Sequence, residues 1–353
     1  MNEKAGKEMI IDANMYWLPQ KIFSDKKIRN EFLRSIPQKF GTSIHVEEQA
    51  ERTSMIVERP MGYPSLNYTD TDYQLEQQLS DMNHHGIDVG LLKLPGCQEW
   101  LPLELCKLIN DEMADHIKQS RGKLRGLAVV PPYADEETIF ELERAIVELG
   151  LTGIQLSAHY GNYYLDDHQF RPFFKKINEM KIPVYVHHTP VPVDYQSIYQ
   201  YDNLRRTLGR NIDQLTAIGR EIFSGMFEEL PELTFIHSMM GGQISNYLNA
   251  LFPQDSGNGR FDDRATQFKN RFRRHIFLEM SHAQPWGKIQ LEAAVKEIGA
   301  DKIIYGSSYP VKSSWFTEGV SFIGGLEITE KEKKELLFET ANSLYKLNLT
   351  GGK

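Results

Sequence analysis

The stretch Lys302-Ile303-Ile304-Tyr305-Gly306-Ser307-Ser308-Tyr309-Pro310 decides how the rest of the chain is interpreted. Its apolar part predicts a short buried strand, which the polar residues and the proline end abruptly. Such a strand carries small polar side chains at its carboxyl end. In a parallel barrel, the carboxyl ends of the strands form the face where chemistry takes place. Ser307 and Ser308 are therefore predicted to lie on that face.

Seven other short apolar runs alternate with segments of helical spacing. These runs are Met9–Ala13, Ile87–Leu92, Leu124–Val130, Thr152–Leu156, Pro183–His187, Leu233–His237 and His275–Met280. Strands that alternate with helices pair in parallel through right-handed crossovers. Eight such units in a chain of 353 residues predict an α/β fold of the (β/α)8 TIM-barrel class.

The connection after the first strand is too long for an ordinary loop. Residues 20–71 are largely polar and contain several prolines, which predicts a cap inserted over the strand ends. No linker, internal repeat or low-complexity segment divides the remainder. We expect a flexible N-terminus at 1–8 and a single barrel domain at 9–348 that carries the cap.

Composition excludes several classes of partner. The chain is 41% hydrophobic and 25% charged, as is typical of globular proteins, and its net charge of −8 argues against a nucleic-acid surface. No apolar run reaches the ~18 residues of a membrane span, and residues 1–8 lack the apolar core of a signal peptide. Two cysteines, Cys97 and Cys106, are too few for a disulfide framework. These features predict a cytoplasmic protein with no membrane partner.

Polar residues cluster at the predicted strand ends. Because those ends converge in a barrel, we expect their side chains to share one cavity. His187 and His237 each end a predicted strand and are expected to face that cavity together. The other candidates at or just past strand ends are Asp12, Asn14, Tyr16, His159, Glu279 and Ser308.

Motifs along nearly the whole chain resemble the amidohydrolase-related family, the amidohydrolase 2 group. The resemblance is carried by Gly86-Ile87-Asp88, Leu124 to Pro131, Glu141 to Ala145, Leu149 to Ile154, Pro183 to His187, Ser224 to Phe227, Pro231 to Leu233, His237 to Gly242 and Tyr305 to Pro310. It implies decarboxylases of small aromatic or unsaturated acids, hydratases or lactone hydrolases, most of them metal-dependent. It also implies a homodimer or homotetramer.

The chain departs from the family at most metal-ligand positions. Where the family usually carries His-x-His or Glu-x-His after strand one, this chain has Asn14 and Tyr16, and Ser308 stands where an Asp ends strand eight. The resemblance leaves His187 at a ligand position and makes His237 the residue that orients or protonates substrate. Because amides, phenols and hydroxyls offset no charge on a dication, we expect no cofactor and no zinc. If a metal did bind, His187 with Glu279 or Asp12 would hold it.

Three functions follow from these residues. The first is a metal-independent decarboxylase of a small aromatic or unsaturated carboxylic acid. In it His187 or His237 supplies a proton, while Asn14, Tyr16 and Ser308 contact the reacting group. The alternatives are a non-catalytic relative that binds a ligand, and a hydrolase of a small lactone or amide.

The substrate carboxylate is expected to be held by side chains around the cavity. Arg52 and Arg59 lie in the predicted cap and could clamp a carboxylate through paired hydrogen bonds. His159 and Glu279 are the other predicted substrate-binding residues.

Overall fold

The computed structural model describes residues 8–37, 42–58, 64–189, 192–194, 196–253 and 264–350. Of the predicted flexible N-terminus at 1–8, only Glu8 falls within these ranges. Arg59, a predicted substrate-binding residue, lies outside the described residues. The boundaries at 9–348 for the barrel and 20–71 for the cap stay predictions.

Eight parallel strands form a closed barrel. They are β1 (Ile11–Tyr16), β2 (Val89–Lys93), β3 (Leu124–Gly126, continuing at Ala128–Val129), β4 (Ile154–Ser157), β5 (Val184–His187), β6 (Phe235–His237), β7 (Ile276–Glu279) and β8 (Ile303–Ile304). Each strand pairs in parallel with the next. The Ala13 N–H donates to the Tyr305 carbonyl at 2.9 Å, which joins the β8 end to β1. The predicted TIM barrel is confirmed.

Helices follow the strands and cover the barrel. They lie at Gln20–Ser24, Lys26–Ser35, Leu75–His85, Leu103–Gln119, Glu136–Val147, Arg171–Met180, Arg210–Phe223, Met226–Glu229, Leu248–Leu251, Ala265–His275, Lys288–Ile298, Ser313–Thr317, Gly319–Gly324, Glu330–Lys334 and Thr340–Leu344. Single 3-10 turns lie at Asp70–Tyr73, His168–Phe170, Ile244–Asn246, Gln284–Trp286 and Ala300–Lys302, and π-helical turns at Leu204–Gly209 and Glu335–Glu339. No helix in the described part of the chain combines the length and apolar character needed to cross a membrane.

A three-stranded antiparallel sheet stands between β1 and the first barrel helix. Its strands are Ser43–Gln49, Arg52–Glu58 and Pro64–Thr69. The Tyr68 hydroxyl donates to the Pro95 carbonyl at 3.2 Å, which attaches this cap sheet to the loop after β2. A small hairpin of His159–Tyr160 with Tyr163–Tyr164 follows β4.

Alternation along each strand decides which side chains enter the barrel. Successive side chains of a strand point to opposite faces. In β5, Tyr185 packs in the inner cluster of apolar residues and His187 is two positions further on the same face. In β6, Ile236 pairs with Tyr185 and shares that inner cluster, so His237 on the neighbouring position faces the surrounding helices.

A left-handed turn follows β6. All five residues from Met239 to Gln243 have positive φ angles, between 51° and 67°. L-amino acids other than glycine adopt this region at a cost, so the turn persists because its surroundings hold it in place. The turn packs against the Arg210–Phe223 helix, and a Cβ built on Gly242 would lie 1.9 Å from the Asn211 carbonyl oxygen.

We therefore expect Gly242→Ala to lower the free energy of unfolding by about 3 kcal/mol, since it adds both strain and a backbone clash. Gly219→Ala is the matched control. Gly219 lies within the Arg210–Phe223 helix and a Cβ there would meet nothing within 4 Å. That substitution should stabilise by up to about 1 kcal/mol. Thermal and denaturant unfolding of both variants measures the difference, and equal midpoints would contradict the assigned packing.

Candidate active site

A cavity of about 730 Å³ opens at the carboxyl ends of the barrel strands. This volume is typical of small-molecule sites. Strand-end residues form its floor, and the cap sheet, the helix after β5 and the loops after β7 and β8 form its walls. The lining residues used below are Tyr16, Ser65, His187, His188, Asp202, Arg206, Arg210, His282, Trp286, Ser308, Lys312 and Trp315.

Tyr16 and His187 form a hydrogen-bonded pair on the floor. The His187 Nδ1 lies 2.6 Å from the His188 carbonyl oxygen, which can only accept, so Nδ1 carries the proton. The Tyr16 hydroxyl lies 2.9 Å from the other ring nitrogen, Nε2, and therefore donates to it. Burial lowers the pKa of His187 to about 3, and the positive charges of Lys93 and Arg210 act in the same direction. His187 is thus a neutral imidazole at physiological pH.

Two further histidines line the same cavity. The rings of His187 and His188 stack with centroids 4.2 Å apart, and His282 meets His188 edge-on at 5.4 Å. Burial holds the pKa of His188 and of His282 well below the usual value. The floor therefore carries imidazoles that are neutral at physiological pH.

Asn14, Ser308 and Glu279 form a second group beside this pair. The Asn14 amide nitrogen donates to the Glu279 carboxylate at 3.1 Å and to the Ser308 hydroxyl oxygen at 3.3 Å. The hydroxyls of Tyr185 and Ser281 also donate to Glu279, at 2.8 and 2.7 Å. The Asn14 Oδ1 is buried and has no hydrogen-bond partner among the described residues.

Asp12 is directed at the turn after β8 and away from the cavity. It accepts hydrogen bonds from the Ser307 N–H at 3.0 Å and from the Ser307 hydroxyl at 2.5 Å. Burial raises its pKa to about 6, although these hydrogen bonds act against that rise. The carboxyl group joins the turn after β8 to β1 and supplies no metal-ligating oxygen to the cavity.

Lys93 is a buried charged residue of the barrel interior that the sequence analysis missed. It ends β2 fully buried inside the barrel, with Nζ 3.1 Å from the centroid of the Tyr185 ring. This amine has no hydrogen-bond partner in the described part of the chain. Burial lowers its pKa to about 7, while the Glu279 and Asp12 carboxylates oppose that shift. A charged residue on the inward face of Val89-Gly90-Leu91-Leu92-Lys93 was the available signal.

The structure does not bring His237 into the cavity with His187. Its ring nitrogens lie 2.9 Å from Gln214 Oε1 and 2.9 Å from Glu221 Oε2, both on the Arg210–Phe223 helix. Burial raises the pKa of Glu221, and the neighbouring His237 counteracts that rise. Because β6 presents Ile236 to the inside, His237 must face outward. Its predicted contact with substrate loses its geometric basis.

His159 also lies apart from the floor. Its Nδ1 donates to the Gly161 carbonyl at 2.9 Å, and its Nε2 lies 2.9 Å from the Thr189 hydroxyl, which in turn donates to Asp213. This network connects the hairpin after β4 to the helix after β5. Among the described residues that line the cavity, His159 is absent.

The sequence analysis placed the substrate-binding arginines in the cap. In the structure, two arginines from the helix after β5 line the cavity wall. Arg52 is exposed and donates to the Thr69 hydroxyl within the cap sheet at 3.5 Å, and it does not line the described cavity. Arg206 and Arg210 line the cavity instead. Burial lowers the pKa of Arg210 to about 10, so its guanidinium stays charged at physiological pH. Their spacing, with Asn203, Thr207 and Asn211 on the same helical face, was the missed signal.

The metal-ligand positions carry mainly oxygen donors. Within the described ranges no group of three or more His, Cys, Asp and Glu side chains is arranged to hold a metal ion. Tyr16 occupies His187 Nε2. Other candidate ligand atoms among the described residues are the unpartnered Asn14 Oδ1 and His282 Nδ1, the Glu279 carboxylate and the Ser308 hydroxyl. Carboxylate and amide oxygens fit manganese or magnesium in chemical type.

Comparison with known proteins gives consistent matches over nearly the whole chain. The family model described as Amidohydrolase matches residues 44–347. The gamma-resorcylate decarboxylase of Polaromonas sp. (strain JS666) is 26% identical over 306 residues, which cover 81% of this chain and 91% of that protein.

Two solved structures match the fold. The 5-carboxyvanillate decarboxylase of Novosphingobium aromaticivorans superposes with a TM-score of 0.75 at 19% identity, covering 98% of this chain and 99% of that one. The dihydroxybenzoic acid decarboxylase of Polaromonas sp. JS666 superposes with a TM-score of 0.68 at 19% identity, covering 98% of each chain.

The expectation that no cofactor binds is wrong in the light of these structures. Both contain bound manganese, one with 3-methoxy-4-hydroxy-5-nitrobenzoic acid and the other with 2-nitroresorcinol. The expectation rested on the loss of charged and imidazole donors at the positions held by Asn14, Tyr16 and Ser308. A buried amide oxygen and a carboxylate, both present here, are ligand types that manganese accepts.

The buried amine of Lys93 predicts a specific dependence of stability on pH. Its pKa in the folded protein, about 7, lies below the ordinary 10.5, so between these values the unfolded chain binds more protons than the folded one. Stability should therefore rise with pH through this window, by up to about 1.4 kcal/mol per unit. Lys93→Met should abolish that rise.

Denaturant unfolding of both proteins at several pH values from about 7 to 9 measures the slopes. Lys118→Met, at an exposed position of the Leu103–Gln119 helix, serves as the control and should keep the slope of the natural protein. If stability rises with pH equally in the natural protein and in Lys93→Met, then burial does not lower the pKa of Lys93 in the folded protein.

Proposed function

The chain belongs to the amidohydrolase family, and from this premise we propose that it decarboxylates a small aromatic carboxylic acid. The resemblance drawn from the sequence motifs is confirmed by the family match, and the relatives are carbon–carbon lyases. One observation carries the proposal: a neutral, hydrogen-bonded His187–Tyr16 pair lies on the floor of a cavity that also presents arginines and tryptophans.

The lining of the cavity supports an aromatic anion as substrate. Trp286, Trp315 and Tyr16 present aromatic surface. Arg206, Arg210 and Lys312 present positive charge, and Asp202, the acidic residue among the described lining residues, pairs with Arg205. A flat ring with an acidic substituent matches both features.

Decarboxylation requires that a proton be delivered to the ring carbon that loses the carboxylate. When the bond between the ring carbon and the carboxylate breaks, its electron pair stays on the ring, carbon dioxide leaves, and the carbon takes a proton. In the free protein His187 Nε2 accepts the hydrogen bond from Tyr16. Once the Tyr16 hydroxyl turns to a substrate oxygen, Nε2 can accept the proton of a substrate hydroxyl and return it to the adjacent ring carbon. The resulting phenolate regains a proton from solvent, and one proton is consumed overall.

Tyr16 contributes a hydrogen-bond donor where negative charge develops. Its hydroxyl points at His187 Nε2 in the free protein and can turn to a substrate oxygen that enters beside it. Burial raises the pKa of Tyr16 to about 12, so this hydroxyl keeps its proton at physiological pH. A donor already held in place stabilises a developing phenolate more than its neutral precursor.

A divalent metal, when bound, would polarise the same substrate oxygen as a Lewis acid. The Asn14 Oδ1, the Glu279 carboxylate and the Ser308 hydroxyl are the side-chain atoms that would hold it. Hydrogen bonds from Tyr185 and Ser281 already orient the Glu279 carboxylate, which is how ligands are commonly positioned.

The test is the consumption of hydroxybenzoates, 2,6-dihydroxybenzoate among them, with and without added manganese chloride. We expect turnover that falls by about 10²-fold or more in His187→Ala and about 10²-fold in Tyr16→Phe. Tyr345→Phe is the matched control, because the Tyr345 hydroxyl is buried without a hydrogen-bond partner among the described residues and lies in the inner apolar cluster. Its rate should equal that of the natural protein.

Several outcomes would overturn the proposal. Thermal stabilisation by an acid that is never consumed in either metal condition identifies a ligand-binding relative. Cleavage of a lactone or amide with no decarboxylation identifies a hydrolase. Unchanged turnover in His187→Ala removes the assigned proton transfer.

A further inference from the structure

Arg210 is a cationic side chain of the cavity lining that has no anionic partner of its own. It forms no ion pair with any described residue, whereas Arg205 pairs with Asp202 and Arg220 pairs with Asp166. Its Nε is buried and has no hydrogen-bond partner in that part of the chain. An unpaired guanidinium that lines a cavity is a strong receptor for negative charge on a bound molecule.

The charge of Arg210 acts on the groups at the floor of the cavity. Arg210, Tyr16 and His187 line the same cavity. Burial is the main cause of the lowered pKa of His187, His188 and His282, and the positive charge of Arg210 acts in the same direction on all three. Burial raises the pKa of Tyr16, and the charge of Arg210 opposes that rise. Arg210 therefore acts electrostatically on the place where the proposed reaction occurs.

Charged groups from other elements also face the floor. Burial raises the pKa of Tyr16, and the negative charge of Glu279, at the end of β7, acts in the same direction. A phenolate that forms beside Tyr16 is repelled by the same carboxylate. Lys93, at the end of β2, is fully buried inside the barrel, and Lys312 lines the cavity from the loop after β8. Arg210 lines the cavity and offsets the effect of Glu279 at Tyr16 itself.

The proposed decarboxylation moves negative charge from the substrate carboxylate to the phenolic oxygen. The carboxylate leaves as neutral carbon dioxide, and the electron pair of the broken bond is delocalised onto the ring oxygen. A cation placed at that oxygen attracts more negative charge in the transition state than in the starting state, so it lowers the barrier. A cation placed at the leaving carboxylate stabilises the starting state more and raises the barrier.

The same cation favours the return of the proton from His187 to the ring carbon. When His187 has taken the proton of the substrate hydroxyl, its positive charge and that of Arg210 disfavour each other. The imidazolium is therefore more acidic and delivers its proton more readily. In the first proton transfer a phenolate forms at the same time, and its attraction to Arg210 offsets this repulsion.

We propose that Arg210 is a catalytic residue whose guanidinium binds the phenolic oxygen of the substrate and stabilises the negative charge that develops there. The inference rests on the proposed decarboxylation, which it deepens by adding a residue to the reacting site. In this role Arg210 acts beside Tyr16, whose hydroxyl donates a hydrogen bond to the same oxygen.

The ionisation of a bound phenol tests the inference without turnover. The probe is 4-nitrophenol, which has no carboxylate and whose visible absorbance reports the fraction present as phenolate. It is titrated with pH while bound to the full chain, as purified and again with added manganese chloride. In both conditions the ratio of bound phenolate to bound phenol should be at least about tenfold lower in Arg210→Met than in the natural protein at the same pH.

Two further variants guard against misfolding. Arg210→Lys keeps the charge and removes the forked geometry, so it should retain part of the effect on the bound phenol. Arg220→Met changes an arginine of the same helix that pairs with Asp166, and it should retain the whole effect. Thermal unfolding of each variant checks that it is folded.

Steady-state kinetics with a hydroxybenzoate that is turned over give a second measurement. Arg210→Met should lower kcat by about 10²-fold and change KM little, because it removes an interaction that strengthens in the transition state.

The outcomes separate this inference from the proposed function. Equal ionisation of the bound probe in the natural protein and in folded Arg210→Met overturns the inference, as does a failure of 4-nitrophenol to bind. A raised KM with unchanged kcat in Arg210→Met identifies a receptor for the carboxylate and overturns the inference, while the decarboxylase stands. Ionisation that depends on Arg210, in a protein that decarboxylates nothing, supports the phenolate site and removes the function.

Discussion

The junction between β8 and β1 holds the floor of the cavity together. Asp12 accepts two hydrogen bonds from Ser307, and the Ser308 N–H donates to the Asn14 carbonyl at 2.9 Å. These contacts join two segments that are nearly 300 residues apart in the chain. Because they close the barrel, they also bring Asn14 and Ser308 into hydrogen-bond contact and set them beside the Tyr16–His187 pair.

The interior below this junction is unusually charged for the core of a barrel. Asp12, Glu279 and Lys93 are all fully buried. Burying single charges is costly, and opposite charges in the same low-dielectric space offset part of that cost. Glu279 occupies the centre of the arrangement, since it accepts hydrogen bonds from Asn14, Tyr185 and Ser281. The orientation of the side chains at the cavity floor therefore depends on the balance of charge among Asp12, Glu279 and Lys93.

His187 and His237 show what the strand pattern can and cannot predict. His187 was assigned to the cavity because it ends an apolar run, and it lies there. His237 ends an apolar run as well, yet it pairs with Glu221 on the covering helix. The two strands differ by one position in the alternation of their side chains, and a one-residue shift moves a side chain to the opposite face. Without the pairing of Tyr185 with Ile236, the sequence offers no means of choosing between the two faces.

The eight apolar runs and the helices between them determined the barrel by themselves, because parallel pairing and right-handed crossovers leave few other arrangements for such a chain. The placement of Asn14, Tyr16 and Ser308 at strand ends followed from the same pattern. Only the tertiary structure decided that Lys93 points inward, that His237 points outward, and that Arg206 and Arg210 line the cavity wall while Arg52 does not. Those outcomes depend on register and on contacts between distant segments. The pattern within one segment can mark such residues as candidates, but it cannot decide which way their side chains point.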